Sequence, residues 1–212
     1  MPTYSQNGQD GFVLSRFDKP GFFVEAGAMN GILFSNTLLL EEHDWDGICV
    51  EPYEPEFMEL AHNRKCKVDR RALAAETDGQ RLLTSCIVKQ MQHPLRGFSS
   101  TLPHKPQTVL SGKIVTTVTL HDLLAQHNAP REIEYLSLDI EGHELEVLKA
   151  FDFSYRFSVI TVETLPETPN GRQRRKQLRE LLRMHGYRLF GRLGHDDIFV
   201  HRDAAATLKG NT

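Results

Sequence analysis

Short apolar runs alternate with helical segments along most of this chain, and this alternation limits the folds that it can adopt. The apolar runs lie at 22–27, 47–51, 66–71, 133–139 and 157–163. Helical patterns lie between and after them, at 35–43, 54–64, 121–127, 141–151 and 172–186. Strands that alternate with helices form mostly parallel sheets, because each crossover helix returns the chain to the end of the sheet where the previous strand began. The sequence therefore predicts an α/β fold with three layers.

The last part of the chain breaks this alternation. Two strand-like runs, GYRLFGRL and DDIFVH, are joined at Gly194, which predicts a C-terminal hairpin with an antiparallel strand pair.

A length of 212 residues suits a single domain, predicted over 1–203 and followed by a flexible tail over 204–212. The segment 74–113 is the least regular, which indicates a variable substrate-binding or lid segment.

Composition narrows the class of protein. The chain is 40% hydrophobic and 25% charged, as in globular domains, and its net charge of −3 gives no general attraction to nucleic acid. The first residues carry no apolar signal segment, and no apolar run approaches the ~20 residues that a membrane helix needs. We therefore expect a cytoplasmic protein without a membrane partner. The composition is also compatible with a homo-oligomer. Cys49, Cys66 and Cys86 form no paired motif, and we expect Cys49 and Cys66 to be buried thiols.

Acidic side chains stand at the ends of three predicted strands. Glu25 lies just before the turn of VEAGAMNG, Glu51 ends the second strand and Asp139 ends the fourth. Ligands of open α/β sheets bind at this edge, where a carboxylate can accept hydrogen bonds from ribose hydroxyls. The turn contains Gly27 and Gly31 but no G-x-G-x-x-G motif and no basic residue. The pattern favours a cationic sulfonium ligand over a dinucleotide, although a glycine turn can also serve only as a connection.

Six sequence blocks, in order, resemble the FkbM-type methyltransferases. They are SQNGQD (5–10), FFVEAGAMNG (22–31), SNTLLLE (35–41), WDGICVEP (45–52), SLDIEGHELEVLKAF (137–151) and VITVE (159–163). The resemblance covers most of the chain outside 74–113. It implies the Rossmann-like class I methyltransferase fold, with a seven-stranded, mostly parallel sheet and an antiparallel C-terminal hairpin. It also implies S-adenosylmethionine as the cofactor.

The resemblance further implies where this cofactor would bind. The turn after the first strand would hold the methionine part, Glu51 the ribose, and Arg71 and Ala72 would lie near the adenine. Gln6 and Asp10 are expected to fold over the pocket or simply to begin a helix. The full set of expected cofactor-binding residues is Glu25, Gly27, Ala28, Asn30, Gly31, Ser35, Asn36, Glu51, Pro52, Arg71, Ala72 and Asp139.

The motif DIEGHE supplies candidates for the chemistry. Methyl transfer to a hydroxyl needs a base or a metal that favours the oxyanion. Asp139, Glu141 and His143 are the candidate catalytic residues, and Asp139 with Glu163 could hold Mg²⁺, which prefers carboxylate oxygens. Glu141 and His143 could equally serve the start of a helix.

Two further polar groups have an ordinary interpretation. His195, Asp196 and Asp197 fall in the predicted hairpin turn, where we expect them to be solvated. Arg172, Arg174, Arg175, Lys176 and Arg179 make one helix basic, without aromatic residues that could stack on bases.

The leading hypothesis is O-methylation of a sugar or natural-product hydroxyl. A protein, peptide or nucleic-acid acceptor is the second hypothesis, with nucleic acid disfavoured. A nucleotide-binding module without methyl transfer is the third.

Overall fold

The computed structural model describes residues 3–86, 98–100, 109–164, 170–204 and 208–209, which form eleven strands and six helices. The strands are β1 (Phe22–Ala26), β2 (Asp46–Val50), β3 (Lys67–Asp69), β4 (Ala72–Leu73), β5 (Gln80–Cys86), β6 (Phe98–Ser100), β7 (Val109–Val118), β8 (Glu132–Leu138), β9 (Arg156–Glu163), β10 (Tyr187–Leu193) and β11 (Asp196–His201). The helices are α1 (Gln9–Leu14), α2 (Leu38–Glu41), α3 (Glu54–Asn63), α4 (Leu120–Gln126), α5 (Glu144–Ala150) and α6 (Gly171–Met184).

The main sheet has seven strands in the order β3-β2-β1-β8-β9-β11-β10. Its pairs are parallel from β3 to β9, whereas β11 is antiparallel to both β9 and β10. The predicted α/β class, the seven-stranded sheet and the C-terminal hairpin are confirmed.

Helices cover both faces of this sheet, because side chains alternate along each strand. Val24 of β1 belongs to one apolar core, which also contains Leu148 of α5 and Leu182 of α6. Its neighbour Phe23 belongs to the opposite core, together with Leu40 of α2. All five residues of β1 are buried, as is typical of a central parallel strand. The three-layer prediction is therefore confirmed.

Part of the segment 74–113 forms a second sheet, in the order β4-β7-β5-β6. Leu83 and Val115 face inward from this sheet, whereas their neighbours Leu82 and Ile114 are 56% and 64% exposed. The segment is thus more regular than the sequence suggested, because β5 and β7 pair in antiparallel register. The rest of the lid prediction, at 87–97 and 101–108, lies outside the described residues.

Two helices begin later than predicted. The helix expected from residue 35 begins at Leu38, because the side chains of Ser35 and Thr37 bind Glu25 instead. The helix expected from residue 141 begins at Glu144, because Glu141 and Gly142 adopt left-handed backbone angles, with φ of 56° and 99°. Both departures occur at the same edge of the main sheet.

The C-terminal tail also differs from the prediction where it is described. Leu208 is only 7% exposed and packs in the core that contains Phe23. The backbone N–H of Lys209 donates to the carbonyl of Arg16 at 3.1 Å. Apolar packing and a backbone hydrogen bond thus join these two residues to the domain. Among the described residues, no helix has both the length and the apolarity to cross a membrane.

Gly27, which follows β1, has no room for a side chain. It has φ of +84°, and a Cβ there would overlap the carbonyl oxygen of Asp139. We expect Gly27→Ala to lower the free energy of unfolding by about 3 kcal/mol or more, from backbone strain and overlap combined. Gly191→Ala is the matched control, since a Cβ at Gly191 meets no atom within 4 Å. Urea unfolding of both variants tests this, and equal losses would contradict it.

Candidate active site

The carboxyl ends of three neighbouring strands bring Gly27, Glu51 and Asp139 together. Ala26 pairs with Val50 on one side and with Leu138 on the other, so the next residue of each strand emerges at the same edge. The backbone N–H of Asp139 also donates to the carbonyl of Ala26, at 3.2 Å. The predicted convergence of these strand ends is therefore found in the fold.

The turn after β1 is bonded to the end of β2. The N–H groups of Gly27 and Ala28 both donate to the carbonyl of Val50, at 3.0 and 3.1 Å. The Glu51 carboxylate accepts from the N–H of Met29 at 3.0 Å. It also accepts from the N–H of Tyr53, at 2.8 Å. Glu51 is thus held between the turn and the start of α3, and burial raises its pKa to about 7.

Glu25 organises the segment that precedes α2. Its carboxylate accepts hydrogen bonds from Ser35 Oγ at 2.9 Å, from Thr37 Oγ1 at 2.5 Å and from the N–H of Asn36 at 2.6 Å. It also lies 3.3 Å from the guanidinium of Arg64, which is a buried ion pair. Arg64 was not among the predicted site residues, because a basic residue at the end of a helix gives no signal that its side chain reaches into the interior.

Two adjoining cavities open at this edge of the sheet. The first cavity lies over β2, β4 and β5, and the second lies between the N-terminal segment and the ends of β8, β9 and β11. Both cavities are lined by Gly27, Met29, Asp139 and Glu141. These four residues therefore mark the junction between them.

The first cavity is largely apolar. Its apolar lining includes Val50, Leu73, Leu83 and Ile140, and Ala72 and Pro52 also contribute. Its polar side chains outside the junction are those of Glu51, Tyr53, Glu56 and His143. Leu83 comes from the segment 74–113, which was predicted to be a variable substrate-binding or lid segment.

The second cavity is strongly polar. Carboxyl groups of Glu25, Glu163 and Asp196 line it in addition to the two at the junction, and no lysine or arginine is among its described lining residues. Asn36 also lines this cavity. Its Nδ2 donates to Ser137 Oγ at 2.8 Å, whereas its buried Oδ1 has no hydrogen-bond partner among the described residues. The remaining polar lining residues are Gln6, Gln9, Ser137 and His195.

The carboxyl groups around the junction hold their protons unusually tightly. Burial, together with the nearby carboxylates of Asp139 and Glu144, raises the pKa of Glu141 to about 8. Burial and the neighbouring Glu141 likewise raise the pKa of Glu163 to about 8. The pKa of Asp139 lies well above its usual value, because it is buried and shares a hydrogen bond with Glu163. A cation at the junction would relieve this repulsion.

A strained turn places Glu141 at the junction. Glu141 and Gly142 both have positive φ, and the Glu144 carboxylate accepts from the N–H groups of Ile140 at 3.1 Å and Gly142 at 2.8 Å. Glu144 is buried, and its two hydrogen bonds hold the backbone of this turn in place. Strain of this kind at a cavity is typical of functional positions.

The other residues predicted to bind the cofactor divide into two groups. Pro52, Ala72 and Asn36 line a cavity. Asn30 instead shapes the turn, since its Oδ1 accepts from the N–H groups of Ile32 and Leu33. The remaining residues, Ala28, Gly31, Ser35 and Arg71, are not among the lining residues of either cavity.

Arg71 and Gly31 have structural partners instead. The Arg71 guanidinium makes two hydrogen bonds to Asp69, at 2.9 and 2.6 Å. A Cβ at Gly31 would lie 2.7 Å from Arg64 and from Leu60, so this glycine lets α3 approach the turn.

The N-terminal segment closes the second cavity, as one of the two interpretations of Gln6 and Asp10 anticipated. Asp10 is buried and accepts from Ser5 Oγ and from the N–H of Tyr4. Gln6 lines the cavity, and Gln9 Nε2 donates to Asp196 at 2.8 Å. Sequence analysis missed Gln9.

The prediction that Asp196 and Asp197 are solvated is wrong. Both lie on β11 rather than in the turn, and both are buried. Asp196 faces the second cavity, whereas Asp197 binds Arg175 and Arg179 of α6. Burial alone would raise the pKa of Asp197, but the hydrogen bonds from these arginines lower it below its usual value. The short turn at Gly194 explains the difference, because it leaves both aspartates within the strand.

The structure brings the predicted magnesium pair together. Asp139 and Glu163 hydrogen-bond to each other, which requires a shared proton. Among the residues that the structure describes, no three His, Cys, Asp or Glu side chains are grouped as metal ligands. The magnesium site stays a prediction.

Comparison with known proteins identifies relatives of this chain. A family model described as "Methyltransferase FkbM domain" matches residues 25–189. No curated protein matches the sequence. Among solved structures, the chain is similar to a precorrin-6y C5,15-methyltransferase from Geobacter metallireducens GS-15, with 10% identity, a TM-score of 0.47 and coverage of 90% of this chain and 85% of that one. It is also similar to a chain of a fibrillarin/Nop5p complex, with 15% identity, a TM-score of 0.45 and coverage of 85% and 71%.

The raised carboxyl pKa values predict how stability depends on pH. Glu141 and Glu163 keep their protons up to about pH 8 in the fold, whereas an unfolded glutamate loses its proton near 4.5. The folded state therefore binds more protons between these values, so the free energy of unfolding falls as pH rises from about 4.5 to 8. We expect Glu163→Gln to flatten this fall and to raise stability at pH 8.5.

Urea unfolding between pH 5.5 and 8.5 measures this effect. Glu76→Gln is the control, because Glu76 is exposed and distant in sequence from the junction. A pH dependence in Glu163→Gln that runs parallel to that of the unsubstituted protein would contradict the expectation.

Proposed function

Because the chain belongs to the FkbM methyltransferase family, we propose that it transfers a methyl group from S-adenosylmethionine to a hydroxyl oxygen of a small molecule, such as a sugar or natural product. The proposal rests on the cluster of carboxyl groups at the junction of the two cavities. Burial and mutual repulsion raise the pKa values of these groups, so a cationic ligand would be stabilised there. A sulfonium with a nearby ammonium group would supply positive charge there.

The first cavity suits the adenosine part of this cofactor. Its apolar lining matches a flat base, and Glu51 at the end of β2 has the acceptor oxygens that a ribose diol requires. Glu51 is already fixed by two backbone N–H groups, so little rotamer entropy would be lost on binding.

The second cavity suits the methionine part and the acceptor. Asn36 Oδ1 is a buried acceptor without a partner among the described residues, and a buried polar atom of this kind is costly unless a ligand satisfies it. An ammonium group is a suitable donor. Asn36 is itself held in place, since its N–H donates to Glu25 and its Nδ2 donates to Ser137.

The cofactor would supply a methyl group on a positively charged sulfur, which makes the methyl carbon electrophilic. The protein must then orient the acceptor hydroxyl and remove its proton. We propose that Asp139 or Glu141 does so, because both line the junction of the two cavities. His143 lines only the first cavity, which makes it a weaker candidate for this proton transfer.

The charge of the second cavity favours a neutral acceptor. Its described lining carries carboxyl groups and amides without lysine or arginine, so a phosphate-rich acceptor would meet repulsion. Hydroxyl groups, in contrast, can donate to carboxylates and accept from the amides of Gln6 and Gln9. The same reasoning disfavours the diphosphate of a dinucleotide and hence the binding module without methyl transfer. A peptide acceptor remains the second candidate, because the rim of this cavity is partly formed by His195, which is exposed.

Glu51 provides a direct test of cofactor binding. We expect Glu51→Ala to weaken binding of S-adenosylhomocysteine about 100-fold, because two hydrogen bonds to a charged group are lost. Calorimetric titration measures this loss, and Glu76→Ala is a control with an exposed carboxylate. Affinity within threefold of the unsubstituted protein would contradict the assigned ribose site.

The pKa of Glu51 adds a pH dependence to this binding. The protonated carboxyl group has fewer free acceptor lone pairs, so affinity should fall as pH drops through about 7. Glu51→Gln cannot ionise, and its affinity should not follow pH through this range. A pH profile shared by both proteins would show that another group controls binding.

Asp139 and Glu141 test the proposed chemistry. With a panel of hydroxylated small molecules, release of S-adenosylhomocysteine should fall about 100-fold or more in Asp139→Asn, while cofactor affinity stays within a few-fold.

The base form of Glu141 prevails above pH 8, so kcat/KM should rise through about pH 8 and lose this rise in Glu141→Gln. Unchanged turnover in both variants would remove this pair from the mechanism.

A further inference from the structure

His143 has a ring nitrogen that no contact within the described part of the protein explains. Its Nε2 is buried and without a hydrogen-bond partner among the described residues, and the side chain lines the first cavity. Although His143 occupies the N-cap position of α5, its side chain makes no capping hydrogen bond. Neither helix capping nor a satisfied core contact therefore accounts for this residue.

The other ring nitrogen fixes the hydrogen-bonding character of Nε2. Nδ1 lies 3.2 Å from Glu146 Oε2, one turn along α5. An ionised carboxylate can only accept, so Nδ1 carries the proton, and in the neutral imidazole Nε2 is then the acceptor. Arg81 of β5 lies 2.7 Å from the second carboxylate oxygen of Glu146, which favours the ionised form of that carboxylate. Arg81 and Glu146 thus act as positioning residues for the imidazole.

The first cavity otherwise offers little that could distinguish one purine from another. The residues that follow β3 into the cavity, Ala72 and Leu73, are apolar. The nearest carboxylate on β3, that of Asp69, is occupied by hydrogen bonds to Arg71 and His127. A base in this cavity therefore has few polar side chains available to it.

We propose that His143 Nε2 accepts a hydrogen bond from the 6-amino group of the adenine, and that Glu146, held by Arg81, sets the tautomer that makes this possible. The inference rests on the proposed function, because it requires an adenosine in the first cavity. It assigns His143 to recognition of the cofactor rather than to removal of the acceptor's proton. A 6-oxo purine would place an acceptor opposite an acceptor, so it should be rejected.

Glu56 is the other side chain that could recognise the base. Glu56 lines the same cavity, and burial together with the neighbouring Glu59 raises its pKa. Glu56 is therefore included among the variants, and its result decides between the two side chains.

The test compares S-adenosylhomocysteine with S-inosylhomocysteine, in which a 6-oxo group and an N1–H replace the 6-amino group and the N1 acceptor of adenine. Calorimetric titration of the full chain gives both dissociation constants and hence their ratio, without any methyl acceptor. We expect the unsubstituted protein to prefer the adenosyl ligand by about 10- to 100-fold, the range for one hydrogen bond whose loss leaves an unpaired group. The ratio should fall below about threefold in His143→Phe, which keeps a planar ring without the nitrogen acceptor.

Glu146→Gln tests the positioning role separately. Its side-chain amide no longer requires a proton on Nδ1, so the ring can present Nε2–H, and the preference should shrink with little change in fold because Glu146 is 38% exposed. The ¹⁵N shifts of the His143 ring should report Nδ1–H in the unsubstituted protein and a mixture in Glu146→Gln. Glu56→Gln should keep the full preference.

The outcomes separate this inference from the proposed function. If neither ligand binds, the cofactor assignment fails and this inference fails with it. If the adenosyl ligand binds but the preference survives His143→Phe, or disappears only in Glu56→Gln, the assignment of His143 is wrong while the cofactor site stands.

Discussion

The site depends on one close approach, between Gly27 and the carbonyl of Asp139. Side-chain-free backbone at Gly27 lets the turn after β1 pass directly against the end of β8. The same turn binds the end of β2 through the N–H groups of Gly27 and Ala28. Three strand ends are thereby fixed within one small region, so that Glu51 and Asp139 face adjoining cavities. With a larger residue at this position, the carboxyl groups could not share a junction.

Bringing these carboxyl groups together has an electrostatic cost, and the fold meets it in two different ways. Glu25 and Asp197 are neutralised by arginines and hydrogen-bond donors from α2, α3 and α6. The pKa values of Asp139, Glu141 and Glu163 are raised instead. The two sets of carboxyl groups therefore differ in how their charge is balanced. The set with raised pKa values lies where a cationic ligand would be stabilised.

Sequence alone was sufficient for the sheet and for the strand-end acids, because the period of the apolar runs and the order of the strands determine which residues emerge at one edge. It was insufficient wherever a side chain leaves its own element. Arg64 reaches Glu25 from the end of α3, and Gln9 reaches Asp196 across nearly the whole chain. Asp196 was expected to be solvated because it lies next to the hairpin turn, yet it is the first residue of β11 and its side chain is buried. Arg71 was expected near the cofactor, yet Asp69, two residues away, holds its guanidinium.

The two cavities divide recognition between them according to their polarity. An apolar cavity can select a flat base by shape, but shape alone separates two purines poorly, so discrimination must come from a polar atom whose hydrogen-bonding role is fixed. A histidine can fill this role only when a neighbour decides which nitrogen carries the proton. The Arg81–Glu146–His143 contacts provide that neighbour from β5 and α5, outside the turn that defines the family's strand-end site. Cofactor recognition would then depend partly on the segment 74–113, which supplies Arg81 and also lines the first cavity through Leu83. A change in that segment would alter recognition of the base while leaving the lining of the second cavity unchanged, because none of its described residues lines that cavity.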